Sequence, residues 1–196
     1  MPESELYTRN LRDLLEHIAA PSPAPGAGAV AGIVTAMAAA LIASAARRSA
    51  DWPEARGVSA QAQALRGRLE LLTAANEKAY LEALALLGNT STGDGRDQAI
   101  GQALEKAAEL PLAIAEAAYD VALLGAETAE HAVPGGAQDA AAASVLAESA
   151  ARAAAGLVAV NLVSSAGDDR VVHAQRLAAA ATVAAKRAVA ATASPV

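Results

Sequence analysis

Pro21-Ser22-Pro23-Ala24-Pro25-Gly26-Ala27-Gly28, followed by the uncharged run 29–46, is the stretch on which the fold of this chain turns. Three prolines at alternate positions fix φ and remove backbone donors, so neither a helix nor a sheet ladder runs through them. Gly26 and Gly28 then permit a tight turn or a close approach to another group. Directly afterwards Val30, Ile33, Met37, Leu41 and Ile42 stand among alanines, the strongest helix formers. A stiff loop is thereby aimed at the N-terminus of a buried helix. That end carries free N–H groups and the positive pole of the helix dipole, which suit a carbonyl, carboxylate or phosphate. The same residues also fit a plain stop-and-start signal, with glycines that only let helices pack closely. A dinucleotide fingerprint is excluded: Ala31 takes the third glycine position, and Leu11–Ala19 reads as helix rather than strand.

Outward from this stretch the chain stays alanine-rich, with 54% hydrophobic residues and no phenylalanine. Small side chains cannot fill wide gaps, so the core must be made of closely spaced helices. We expect an all-α bundle of six to eight helices in a single domain, 1–196, with the 27–46 helix at its centre. Helical spacing covers 5–19, 28–48, 59–87, 96–131, 137–165 and 169–192. Pro111 should kink or split the fourth of these. The segment 88–95 is the clearest loop, Trp52 before Pro53 should be extended, and Asp168 or Asp169 is a good N-cap.

A formal charge of −6 and a pI near 5.1 give no electrostatic footprint for nucleic acid. Without cysteine there are no disulfides and no thiolate chemistry. The acidic start Met1-Pro2-Glu3-Ser4-Glu5 lacks the basic region of a signal peptide, so a cytoplasmic location is expected. The uncharged 27–46 run has the length of a membrane span but few large apolar residues; we read it as a bundle helix, with no membrane partner. His17, His131 and His173 have no companions at ligand spacing, so no metal site is expected. Arg47 and Arg48 suit either the C-terminal pole of their helix or the carboxylates of a ligand. Tyr80 and Tyr119 are rings that either stack on a ligand or pack in the core.

Four stretches, in order, resemble the cyclodeaminase/cyclohydrolase family, which includes formiminotetrahydrofolate cyclodeaminase and a bacterial methenyltetrahydrofolate cyclohydrolase. They are Ala20-Pro21-Ser22-Pro23-Ala24-Pro25-Gly26-Ala27-Gly28-Ala29-Val30-Ala31, then Arg96-Asp97-Gln98-Ala99-Ile100 with Ala108-Glu109-Leu110-Pro111-Leu112, then Gln138-Asp139-Ala140, and Val160-Asn161-Leu162. The proline-glycine loop is the most specific of them, and the match spans nearly the whole chain. The resemblance implies a helical homodimer that binds a tetrahydrofolate derivative as substrate and works on the carbon bridging its N5 and N10. It implies folate contacts from Ser22, Pro25, Gly26, Gly28, Asn161 and Arg47, and Asp139 as the carboxylate that moves protons. Ala27, Ala29 and Gln138 depart from the family pattern of Gly, Ser and Ser. These departures carry the alternative of a helical dimer that binds folate, or is structural, without catalysing. Asp139 and Asn161 lie 22 residues apart on one expected helix, about 33 Å, so they either meet at one site across an antiparallel dimer or act separately.

Overall fold

The structure is a computed structural model and describes residues 5–21, 25–88, 94–162 and 167–193. These hold seven helices and no strand: α1 Glu5–Thr8, α2 Leu11–Ala19, α3 Ala27–Arg48, α4 Ala55–Gly88, α5 Asp94–His131, α6 Pro134–Asn161 and α7 Asp169–Thr192. The all-α expectation stands. A continuous helix over 5–19 does not: Asn10 interrupts it, and its side chain accepts from the Asp13 N–H at 3.0 Å to start α2. Trp52 sits in a run of tight turns, its N–H donating to the Ser49 carbonyl at 3.0 Å, and α4 starts at Ala55, ahead of the expected position 59. Of the expected 88–95 loop, 89–93 lie outside the described residues; Gly88 ends α4, and Asp94 and Gly95 begin α5. Asp168 caps α7 as expected, accepting from the Arg170 N–H at 2.8 Å.

The hub is α5, which packs on α3, α4, α6 and α7, whereas α3 packs on α4, α5 and α6. The sequence places α3 at the centre; the structure gives that position to α5. Small residues set the spacing. A Cβ on Gly125 of α5 would stand 3.0 Å from the Ser144 Cβ and 3.1 Å from the Ala140 carbonyl oxygen of α6. A Cβ on Gly32 of α3 would stand 2.1 Å from the Thr73 hydroxyl of α4. Among the alanines, Ile42, Leu69, Ile114, Val121 and Val158 are fully buried, each contributing about 1.5–3 kcal/mol.

Pro111 neither ends nor splits α5. A proline leaves the carbonyl four residues earlier without its helical donor. That carbonyl belongs to Ala107, and the Asn161 Nδ2 at the end of α6 donates to it at 2.9 Å. A side chain 54 residues away completes the helix that the proline interrupts.

Candidate functional site

The head of α3 is built as the sequence expects. Gly26 is its N-cap, with extended backbone (φ −87°, ψ −177°) and no side chain capping the first turn. The N–H groups of Ala27, Gly28 and Ala29 have no helical acceptor in that position. Ala27 borders a cavity of about 520 Å³, lined also by Pro25, Gly26 and Val30 of this segment and by Ser149 and Ala153 of α6. That volume falls within the range of ligand pockets, and its walls are mostly apolar with a hydroxyl and a helix end for polarity. Ser22 lies outside the described residues.

Gly28 faces away from this cavity, toward α4. A Cβ there would stand 2.4 Å from the Asn76 Nδ2, and one on Gly26 would stand 3.4 Å from the Tyr80 ring. Gly28 is therefore a close-approach glycine between helices. Asn76 is 8% exposed. Tyr80 is 39% exposed at the same helix end, while Tyr119 packs against the core. Neither Asn76 nor Ser149 stands out in the sequence, since one sits in a polar run of α4 and the other among the small residues of α6.

Two of the other residues implied by the resemblance, Asp139 and Arg47, lie at the tail of α3. Asp139 pairs with Arg48, both side chains about half exposed. Asp139 falls in the second turn of α6, whose first turn holds no acid. Arg47 and Arg56 line a second cavity, of about 600 Å³, beside Trp52. The Trp52 ring stacks on His131 with centroids 5.2 Å apart, and the His131 Nδ1 lies 2.9 Å from the Glu127 carbonyl oxygen. Ser49 closes this end, accepting from the Val133 N–H at 3.1 Å and donating to the Ala45 carbonyl at 2.9 Å.

One chain therefore does not bring its site residues together. α3 has 22 residues, so head and tail are about 33 Å apart. Pro25 and Gly26 are at the head, and Arg47 and Asp139 at the tail. Asn161, at the far end of α6 from Asp139, has its NH₂ engaged by Ala107. A separate charged cluster lies where α4 and α7 meet α5: Glu116 receives Arg68 at 3.7 Å and His173 at 3.5 Å. Beside it, burial holds the Asp120 carboxyl above the usual carboxylate range, against the pull of Arg68.

No curated protein sequence matches the chain. Its fold is similar to that of formiminotetrahydrofolate cyclodeaminase from Thermotoga maritima, at a TM-score of 0.84 and 21% identity, covering 96% of this chain and 98% of that one. Residues 10–189 match the family described as Formiminotransferase-cyclodeaminase. That match takes in the proline-glycine loop, Asp139 and Asn161, and the chain belongs to the formiminotransferase-cyclodeaminase family.

Proposed function

We propose that this chain binds a reduced folate in the cavity at the head of α3, and that, as a homodimer, it acts on the one-carbon unit between N5 and N10. The observation that carries this reading is the uncapped first turn of α3 opening beside a 520 Å³ apolar cavity. Pro25 and Gly26 shape its rim, the first-turn N–H groups and Ser149 offer polar contacts, and Asn76 and Tyr80 stand on the far side of the same turn. In a cyclodeaminase, N10 attacks the formimino carbon on N5 and ammonia leaves. In a cyclohydrolase, water attacks the bridging carbon and one C–N bond opens. Either reaction needs a proton taken from the nucleophile and one given to the departing nitrogen. Asp139 is the group assigned to this, with Arg48 holding its carboxylate in place. Arg47 meets the glutamate carboxylates of the folate, and Asn161 acts from a distance by fixing α5 at Pro111.

A second reading, folate binding without turnover, has its own support: none of the residues lining the cavity at the head of α3 carries a titratable side chain. Methenyl-tetrahydrofolate tests both through its ultraviolet absorbance. Decay faster than in buffer supports the enzyme, and a protected chromophore supports the binder. Ala27→Trp, placing an indole at the exposed cavity edge, should abolish either effect. An unchanged effect in that variant would remove the cavity from the account.

A further inference from the structure

Buried helical hydroxyls in this protein share one habit. Those of Thr35, Thr73 and Thr128 each donate to the carbonyl four residues earlier, at 2.8, 2.7 and 2.7 Å. That bond satisfies the proton within the helix itself. Ser149 of α6, in the wall of the head cavity, departs from the habit. Its Oγ donates instead to the Oε2 of Glu148, at 3.4 Å. Glu148 is a buried carboxylate, 9% exposed, and such a group is costly unless polar partners surround it. α7 supplies one of them, since the Thr182 hydroxyl donates to the Glu148 Oε1 at 2.9 Å. Thr182 also lies 3.1 Å from the Ala178 carbonyl, the habitual partner, yet Glu148 is the nearer acceptor. Arg152, one turn along α6, stands 3.6 Å from the same Oε1. The two carboxylate oxygens therefore differ in task. Oε1 faces α7 and a cation, and Oε2 faces Ser149.

We infer that Glu148 is a positioning residue for the head cavity: it claims the Ser149 proton, so that Ser149 meets the ligand as a hydrogen-bond acceptor. A carboxylate beside a cation accepts hydrogen bonds and has none to give. The proton between the two side chains thus comes from Ser149, and a hydroxyl carries only one. What Ser149 has left for the cavity is lone pairs. At 3.4 Å the bond is long, but the charge behind it still turns the hydroxyl dipole inward. The first turn of α3 does the opposite. Ala27, on the same cavity, belongs to an uncapped turn whose N–H groups only donate. The cavity therefore offers donors from α3 and an acceptor from α6 between apolar walls. It fits a ligand that carries both a carbonyl and an N–H, as the cyclic amide of a reduced pterin does. A phosphate or carboxylate, which suits a helix end taken alone, would set its oxygens against the Ser149 lone pairs and the Glu148 charge. Glu148 thus turns a general anion-binding feature into one that selects a neutral amide.

The choice of ligand rests on the folate reading, and titration calorimetry with 5-formyl-tetrahydrofolate tests the role of Glu148 as a double-mutant cycle. Ser149→Ala removes the acceptor and should weaken binding about three- to ten-fold. Glu148→Gln keeps the size of the side chain, and Arg152 holds its oxygen toward α7, so its NH₂ faces Ser149. The hydroxyl then accepts from that NH₂ and turns its own proton into the cavity, against the ligand N–H. Binding should weaken at least as much as in Ser149→Ala. The double variant should bind no more weakly than Ser149→Ala alone, because Glu148 acts only through that hydroxyl. A Glu148 that serves packing alone would weaken binding equally in both backgrounds, or lower only the melting temperature. Either result overturns the inference. Ser149 is exposed, so Ser149→Ala remains a test where Glu148→Gln melts early, and wild-type affinity in it overturns the inference too. A wild type that binds while the variants bind equally well sinks this inference alone. A wild type that binds no reduced folate sinks it together with the folate reading.

Discussion

The two ends of α3 are built on opposite principles. At the head, Pro25 and Gly26 lead into an uncapped first turn beside an apolar cavity lined by no charge. At the tail, Arg48 holds Asp139, Arg47 and Arg56 line a second cavity, and Ser49 and the Trp52–His131 stack tie the neighbouring loops down. The cavity at the head is lined by no titratable side chain, whereas the tail carries Asp139, Arg48 and a second cavity lined by two arginines. The apolar cavity and the Asp139 carboxylate are held apart by the length of a rigid helix.

The comparison is broken most sharply at Asp139. Asp139→Asn keeps the shape of the side chain but removes the base, so turnover should fall roughly 10²–10⁴-fold while folate affinity stays within a few fold. Turnover at the wild-type rate would make the Arg48–Asp139 pair a mere surface tie. Next in size is Asn161, which belongs to neither end. Asn161→Ala strands the Ala107 carbonyl and should cost about 1–3 kcal/mol in chemical denaturation, with ligand affinity unchanged. In the Pro111→Ala background, which restores a helical N–H to that carbonyl, the cost should shrink. A folate contact from Asn161 would instead lower affinity in both backgrounds.

Ser49→Ala sharpens the tail alone. It leaves the Val133 N–H without its acceptor and should cost about 1 kcal/mol, lowering the melting temperature without touching binding at the head. The smallest effect belongs to Asp120, remote from both ends. Its folded pKa is raised, so the native state holds the proton more tightly than the unfolded chain does. Its contribution therefore favours the fold in acid and is lost as pH rises through the folded pKa. Asp120→Asn should raise the melting temperature slightly at pH 7, and the gain should vanish as the pH falls to where the native carboxyl is protonated. A variant that melts lower at pH 7 would mean that the attraction of the ionised carboxylate to Arg68 outweighs burial.

Much of this architecture is legible in the sequence because alanine spacing and proline punctuation act locally. The start of α3, the α7 cap at Asp168 and the all-helical class depend on neighbours in the chain. What was not legible depends on partners far along it. Nothing near Pro111 announces that Asn161 will satisfy Ala107, so a kink or a split in α5 is what the sequence alone leads one to expect. Gly28 reads as a loop glycine until α4 brings Asn76 beneath it. The hub position of α5 reflects the packing of four other helices, which its own hydrophobicity does not encode. The separation of Pro25 and Gly26 from Asp139 by the length of α3 appears only when α6 is laid against it.

Complementation between two inactive variants tests the union of head and tail most directly. Ala27→Trp blocks the head cavity and keeps Asp139; Asp139→Asn keeps the cavity and loses the base. Each is first shown by sedimentation to dimerise, and the two are then mixed in equal amounts and refolded together. If each site takes its cavity from one chain and its carboxylate from the other, about a quarter of the wild-type turnover of methenyl- or formimino-tetrahydrofolate should return, since half the dimers are mixed and each holds one intact site. A mixture as inactive as its components would contradict the shared site.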